Sequence, residues 1–133
     1  MMNEPVSLIM SRNVITAAGN DTLSVARSLF LKNKIHHLPI VDGSRLVGIL
    51  TTYDLFKVVG PNKDYEKIYI KDVMTTHIAT LEPEDKIGSA AELFLENLFH
   101  AVPIVKDGEL KGIVTSLDVI KYEFKKEYPT QVI

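Results

Sequence analysis

A mixed α/β fold, two copies of a β-α-β-β-α unit related by a pseudo-twofold axis, is predicted by three observations. The sequence repeats itself, the elements follow one order in both copies, and each copy carries a proline in its second strand. The 133 residues repeat at an offset of 64, with "HHLPIVDGSRLVGILTTYDLFK" (36–57) lying over "HAVPIVKDGELKGIVTSLDVIK" (100–121) without a gap. Upstream, "DTLSVARSLFLKN" (21–33) lies over "DKIGSAAELFLEN" (85–97), and from Met10 to Lys57 18 of 48 aligned positions are identical. Two copies are too few for a solenoid. The boundaries read as a first repeat over 1–60, a linker over 61–69 and a second repeat over 70–133. Gly60 suits a helix C-cap and Pro61 blocks continuation.

Each element has a local cause. Residues 14–17 and 78–81 are short β-branched or apolar segments, expected as first strands. Leu23, Ala26, Phe30 and Asn33 recur at helical spacing, as do Ile87, Ala90, Phe94 and Leu98, with Asp21 and Asp85 where the N-caps should fall. The second strands, LPIV and VPIV, each contain a proline, which cannot donate to a ladder and so marks an edge or an open side. Asp42-Gly43 and Asp107-Gly108 are hairpin-turn dipeptides leading into third strands over 46–51 and 110–115. The result is a small three-stranded sheet with two helices on one face. Its other face is apolar too, so two copies are expected to bury those faces against each other.

Composition excludes several classes. The apolar and charged fractions, 46% and 24%, are those of a globular protein, and a net charge of −2 argues against a nucleic-acid partner. Without cysteine there is no disulfide, thiolate metal site or cysteine nucleophile. The start, "MMNEPVSLIMSR", has no basic n-region, and no apolar run approaches membrane-spanning length, so no membrane partner and a cytoplasmic location are expected.

The third strands end in GILTTYD (48–54) and GIVTSLD (112–118). Thr followed three residues later by an acid is a helix start: the hydroxyl accepts from an orphan N–H, and the carboxylate reaches back to the cap. A helix N-terminus after a strand is also an anion site, with free N–H groups and a favourable dipole. Both uses are open to the same side chains.

In their order, twice and at one spacing, the motifs resemble a tandem pair of cystathionine-β-synthase (CBS) domains, a Bateman module, over almost the entire chain. The residues that carry the likeness are His36-His37-Leu38-Pro39 and His100-Ala101-Val102-Pro103, the two Gly-h-h-Thr-x-x-Asp runs, and the openings Met10-Ser11 and Met74-Thr75. The resemblance implies an adenosine-containing ligand, AMP, ADP, ATP or another adenosyl compound, held in clefts between the repeats, with Thr for phosphate and Asp for ribose. One cleft would join Thr51 and Asp54 to Thr80, His100, Ala101, Val102 and Pro103. The other would join Thr115 and Asp118 to Thr16, His36, His37, Leu38 and Pro39. Many members place an arginine at the second position of the prolyl strand, where this chain has His37 and Ala101. That departure weighs against a triphosphate. It also makes the cleft with two histidines the expected better site, because an imidazole can donate to a phosphate and alanine cannot.

Adjacent histidines on a strand point to opposite faces, and no partner at ligand spacing accompanies them, so no metal is expected. No triad order and no paired acids appear, so no catalysis is expected either. Tyr53 and Leu117, between each Thr and Asp, cover the helix start or stack on a base. The tail "KYEFKKEYP" (121–129) reads as a solvated or dimer-facing helix end. Leu29-Phe30-Leu31 and Leu93-Phe94-Leu95 cannot all face one interior, which predicts a homodimer. The expected function is a stand-alone regulatory module acting on a separate protein. The competing one is a dimerisation scaffold that needs no ligand.

Overall fold

The structure, a computed structural model, describes residues 2–58, 64–97 and 100–129. The expected C-cap at Gly60, the break at Pro61 and the helix position Leu98 lie outside them. The elements run α1 (Leu23–Asn33), β1 (His37–Asp42), β2 (Arg45–Thr51), α2 (Thr52–Val58), α3 (Ile87–Asn97), β3 (Ala101–Lys106), β4 (Glu109–Thr115) and α4 (Ser116–Glu127). Short 3₁₀ turns at Val6–Leu8 and Ile70–Asp72 precede the two repeats' first segments.

The chain forms two compact units, and neither coincides with a sequence repeat. One is Ile15–Ile78; the other is Met1–Val14 with Ala79–Ile133. Each opening segment is thus built into the unit that holds the other repeat's strands and helices. Helix periodicity fills each core as expected: Leu23, Ala26 and Phe30 with Leu38, Ile40 and Leu50 in one, Ile87, Ala90 and Phe94 with Val102, Ile104 and Val114 in the other.

The opening segments also replace the caps expected at Asp21 and Asp85. The first amide groups of α3 donate to the opening segment, Ile87 N–H to the Glu4 carbonyl at 2.9 Å and Gly88 N–H to Met2 at 2.8 Å. In α1, Leu23 N–H donates to Ile68 at 2.9 Å and Ser24 N–H to Tyr65 at 3.0 Å. With those donors satisfied by backbone, the position before α1 is Thr22, which makes no side-chain cap bond. The aspartates tighten the preceding turns instead: Asp21 Oδ2 accepts from Ala18 N–H at 2.9 Å, and Asp85 Oδ2 from Glu82 N–H at 2.7 Å.

In each unit two strands form an antiparallel hairpin, β1 with β2 and β3 with β4. The expected first strands shrink to single parallel bridges, Ala17 beside Ile40 and Leu81 beside Ile104. Proline explains the length. Ala17 N–H donates to Pro39 O at 3.2 Å and Val41 N–H to Ala17 O at 2.9 Å. The next bond of that parallel ladder would come from the amide of residue 39, which proline lacks. Pro103 stops the second ladder in the same way on the N-terminal side of Leu81. The missing donor faces away from the hairpin partner, so Pro39 and Pro103 keep their places opposite Ile49 and Ile113, and each ladder shifts register only beyond them, between Ile40 and Val41 and between Ile104 and Val105.

The hairpin turns differ in register from expectation in one copy. In the second, Asp107 and Gly108 form the loop with φ of 54° and 83°. Positive φ at both centres is the demand of the tight hairpin turn. In the first, Asp42 is already paired with Arg45, and the loop is Gly43-Ser44, with Gly43 at φ 64°. The one-residue shift keeps both loops 64 residues apart.

Gly48 and Gly112 are needed for close approach. Ser11 and Ile113 exchange backbone bonds at 2.9 and 3.0 Å, so the opening segment crosses β4 at Gly112. A methyl there would lie 2.7 Å from the Ser11 carbonyl oxygen and 2.8 Å from the Met10 sulfur. At Gly48 the clash is with the flexible Met74 side chain, the sulfur at 2.4 Å. Gly112→Ala is therefore expected to cost about 1–3 kcal/mol in chemical denaturation. Gly48→Ala should cost less, because Met74 can move and backbone cannot.

Candidate functional site

Both Thr-x-x-Asp runs form reciprocal capping boxes. Thr51 N–H donates to Asp54 Oδ2 at 3.0 Å, and Asp54 N–H donates to Thr51 Oγ1 at 3.1 Å. At the start of α4, Thr115 N–H donates to Asp118 Oδ2 at 2.8 Å, and Asp118 N–H donates to Thr115 Oγ1 at 3.2 Å. The local reading of these motifs is therefore correct in both copies. The boxes do not use up the side chains. Each threonine hydroxyl accepts within its box and keeps its proton to donate, and each carboxylate keeps Oδ1 to accept. All four residues are only half-buried.

The prolyl strands start beside these boxes. His37 faces Thr51 in the β1–β2 register and Ala101 faces Thr115 in β3–β4. Thr52 N–H donates to the His36 carbonyl at 3.1 Å, and Ser116 N–H to that of His100 at 3.0 Å. Within one unit, then, Thr51 and Asp54 are neighbours of 36–39. Within the other, Thr115 and Asp118 are neighbours of 100–103. The residues expected to share a ligand belong to different units: Thr16 and 36–39 to one, Thr115 and Asp118 to the other, and likewise Thr80 and 100–103 against Thr51 and Asp54.

Burial separates the roles open to these positions. Leu38 and Val102 are core residues at 0% and 1% exposure, and Pro39 and Pro103 are fully buried. Only their backbone is available to a ligand. His36, His100 and Thr80 are exposed, and Thr16 and His37 half-buried, so their side chains have room to act. Ala101 is buried. Tyr53 and Leu117 are exposed beside their boxes. Among the described residues no cluster of His, Asp or Glu is placed to hold a metal ion. No described helix is long and apolar enough to cross a membrane.

The structure adds one feature that sequence reasoning passed over. Asp118 also lines a groove of about 480 Å³ between Leu8 and Ile9 on one side and Lys121, Tyr122 and Lys125 of α4 on the other. Lys126 completes its edge. Its ammonium donates to the Tyr122 hydroxyl at 3.1 Å, which holds its pKa above the ordinary lysine value, and lies 3.7 Å from Glu4. The Tyr122 hydroxyl donates in turn to Glu4. The available signal was Asp118 together with the basic tail 121–129, since 118, 121, 122 and 125 share one helix face.

The CBS domain family model matches this chain twice, over residues 6–60 and 70–125. Among curated relatives, the protein MJ1404 of Methanocaldococcus jannaschii, itself uncharacterized, is 36% identical over 136 residues, 92% of this chain and 32% of its own length. The L-aspartate semialdehyde sulfurtransferase of the same organism is 34% identical over 123 residues, 89% of this chain and 23% of that enzyme. The chain thus spans a third or less of these two relatives. Among solved structures, the CBS domain pair of protein MJ0100, in complex with 5′-methylthioadenosine and S-adenosyl-L-methionine, is 33% identical with a TM-score of 0.81, covering 92% of this chain and 97% of that one. Protein MJ1225 of M. jannaschii is 28% identical with a TM-score of 0.85, covering 92% of this chain and 48% of that one. With the family model met twice, on the repeats that the 64-residue offset defines, this chain belongs to the CBS domain family and carries the domain as a pair.

Proposed function

We propose that this CBS pair is a regulatory module that binds an adenosine-containing ligand and performs no chemistry on it. The observation that carries the reading is the 33% identical pair bound to 5′-methylthioadenosine and S-adenosyl-L-methionine, matched over 92% of this chain. The capping boxes support it, since each keeps a hydroxyl proton for a phosphate or sugar oxygen and a carboxylate oxygen for ribose hydroxyls. In this reading Thr115 and Asp118 act with Thr16, His36, His37 and the backbone of Leu38 and Pro39. Thr51 and Asp54 act with Thr80, His100, Ala101 and the backbone of Val102 and Pro103. With His37 and Ala101 in place of arginine, ligands of low phosphate charge are favoured: S-adenosylmethionine, methylthioadenosine or AMP ahead of ATP. Binding shifts the orientation of the repeats, an input to a separate regulated protein.

A thermal-shift panel of those four ligands and ADP tests the reading. One of them at a hundredfold excess over its dissociation constant should add about 2.7 kcal/mol, a rise on the order of 10 °C for a chain of this size. A flat panel sinks the proposal.

For a phosphate-bearing ligand such as AMP the two sites should be unequal, with Thr115 and Asp118 forming the tighter one because two histidines accompany it. One charge-assisted donor is worth about 1.5–3 kcal/mol, up to about a hundredfold in affinity. Calorimetric titration of Asp118→Ala should lose the tight phase and Asp54→Ala should keep it. The opposite pattern reverses the assignment. Both variants should lose similar stability, about 0.5–2 kcal/mol, because the boxes have the same geometry.

A second reading, a dimerisation scaffold, is favoured by one observation. Leu117, Ile120, Phe124 and Tyr128 form an exposed stripe along α4, and Leu31 and Leu95 stand exposed at 70% and 80% while Phe30 and Phe94 turn inward. Such a stripe on a monomer is an association surface, and a second copy is the proposed occupant. Light scattering should give twice 14.9 kDa, falling to the monomer in Ile120→Asp. A monomer at micromolar concentration in the parent chain removes the scaffold and the dimer together.

A further inference from the structure

Helix α4 carries more than its repeat requires. The positions that match Tyr122, Lys125 and Lys126 in the first repeat are Val58, Pro61 and Asn62. A proline there cannot extend a helix. The side chains Tyr122, Lys125 and Lys126 that α4 gives to the groove thus have no like residue at the matching positions of the first repeat.

Its chemistry is specific. Leu8, 60% exposed, and Ile9 give an apolar lining. Lys126 is committed to Tyr122 and Glu4. Lys121 and Lys125 are exposed, carry no ion pair among the described residues, and sit one turn apart on one face, where like charges repel. On a chain with a net charge of −2 this is a local exception. A compact anion would find no buried donor and would leave the apolar lining unused. An extended peptide meets both demands. Its alternate side chains lie about 6.5–7 Å apart on one face, close to the rise of about 6 Å between Lys121 and Lys125. Side chains of the other face then meet Leu8 and Ile9.

We propose that this groove docks an extended peptide of a partner protein in which acidic and apolar residues alternate. Lys121 and Lys125 pair with successive carboxylates, Leu8 and Ile9 receive the apolar positions, and the Tyr122–Glu4–Lys126 network holds the opening segment against α4 as the far wall. The groove shares Asp118 with the proposed ligand site, so the test is run without nucleotide and varies Lys121, Lys125 and Leu8, which the ligand reading does not use.

Fluorescence anisotropy with the full chain is the measurement. The probe is a labelled peptide of alternating glutamate and leucine, its control the lysine–leucine counterpart. Saturable binding to the acidic peptide only is expected, weakened tenfold or more by Lys121→Gln/Lys125→Gln and by rising salt. Leu8→Ser should weaken it as well, and Lys57→Gln in the first repeat should leave it unchanged. Equal melting temperatures for the lysine variants exclude a folding defect, since both side chains are exposed. Absence of saturation at millimolar peptide, equal binding of the basic peptide, or indifference to the double lysine variant overturns the proposal. Binding of phosphatidylserine vesicles without binding of peptide also overturns it, in favour of a lipid surface.

Discussion

Backbone carbonyls of the two opening segments meet the first amide groups of α1 and α3. The first turns of α1 and α3 present orphan N–H groups, and these donate to Tyr65 and Ile68 in one unit and to Met2 and Glu4 in the other. The same segments then run on to bond the third strands, Thr75 with Ile49 and Ser11 with Ile113. Remove an opening segment and a helix loses its cap, a strand loses a neighbour, and a core loses Val6 and Met10 or Ile70 and Met74. Much else is arranged around that constraint. Gly48 and Gly112 are bare so that the segments can cross, and Asp21 and Asp85 are freed from capping to shape turns.

The positions proposed to bind a ligand are arranged by a second, smaller constraint, the absence of an amide N–H at Pro39 and Pro103. It limits the parallel ladder to one bridge and leaves the outer edge of β1 and β3 short of partners just where each strand begins. The histidine end of each strand is tied to the start of the following helix, through Thr52 and Ser116. A strand edge, a helix N-terminus, a threonine hydroxyl and a carboxylate thereby come together in each unit. Structural and binding uses of Thr-x-x-Asp are not rivals in this arrangement. The box orients both side chains and commits only one carboxylate oxygen and the hydroxyl's lone pair, so the proposed ligand would meet preorganised groups at little entropic cost.

The two copies have diverged where the fold permits it. Inside the cores the repeats are near replicas, because buried positions tolerate little change in volume. Clear differences are half-buried His37 against buried Ala101 beside the capping boxes, and Gly43-Ser44 against Asp107-Gly108 in the exposed turns. Duplication thus supplies two similar scaffolds, and what distinguishes them resides in a few side chains.

Much of this was legible in the sequence alone. Leu23, Ala26 and Phe30 were readable as one buried helix face, Thr51 with Asp54 and Thr115 with Asp118 as helix starts, and the prolines as marks of an incomplete edge. All of these depend on residues within a few positions of each other, where periodicity, capping and the missing donor act directly. The exchange of opening segments, the one-bridge ladders and the groove beside Asp118 were decided only by tertiary structure. They join residues as distant as Ser11 and Ile113 or Glu4 and Tyr122. Most of those joins are bonds between backbone groups, which are alike at every residue but proline, so side-chain pattern carries no record of which amide will meet which carbonyl.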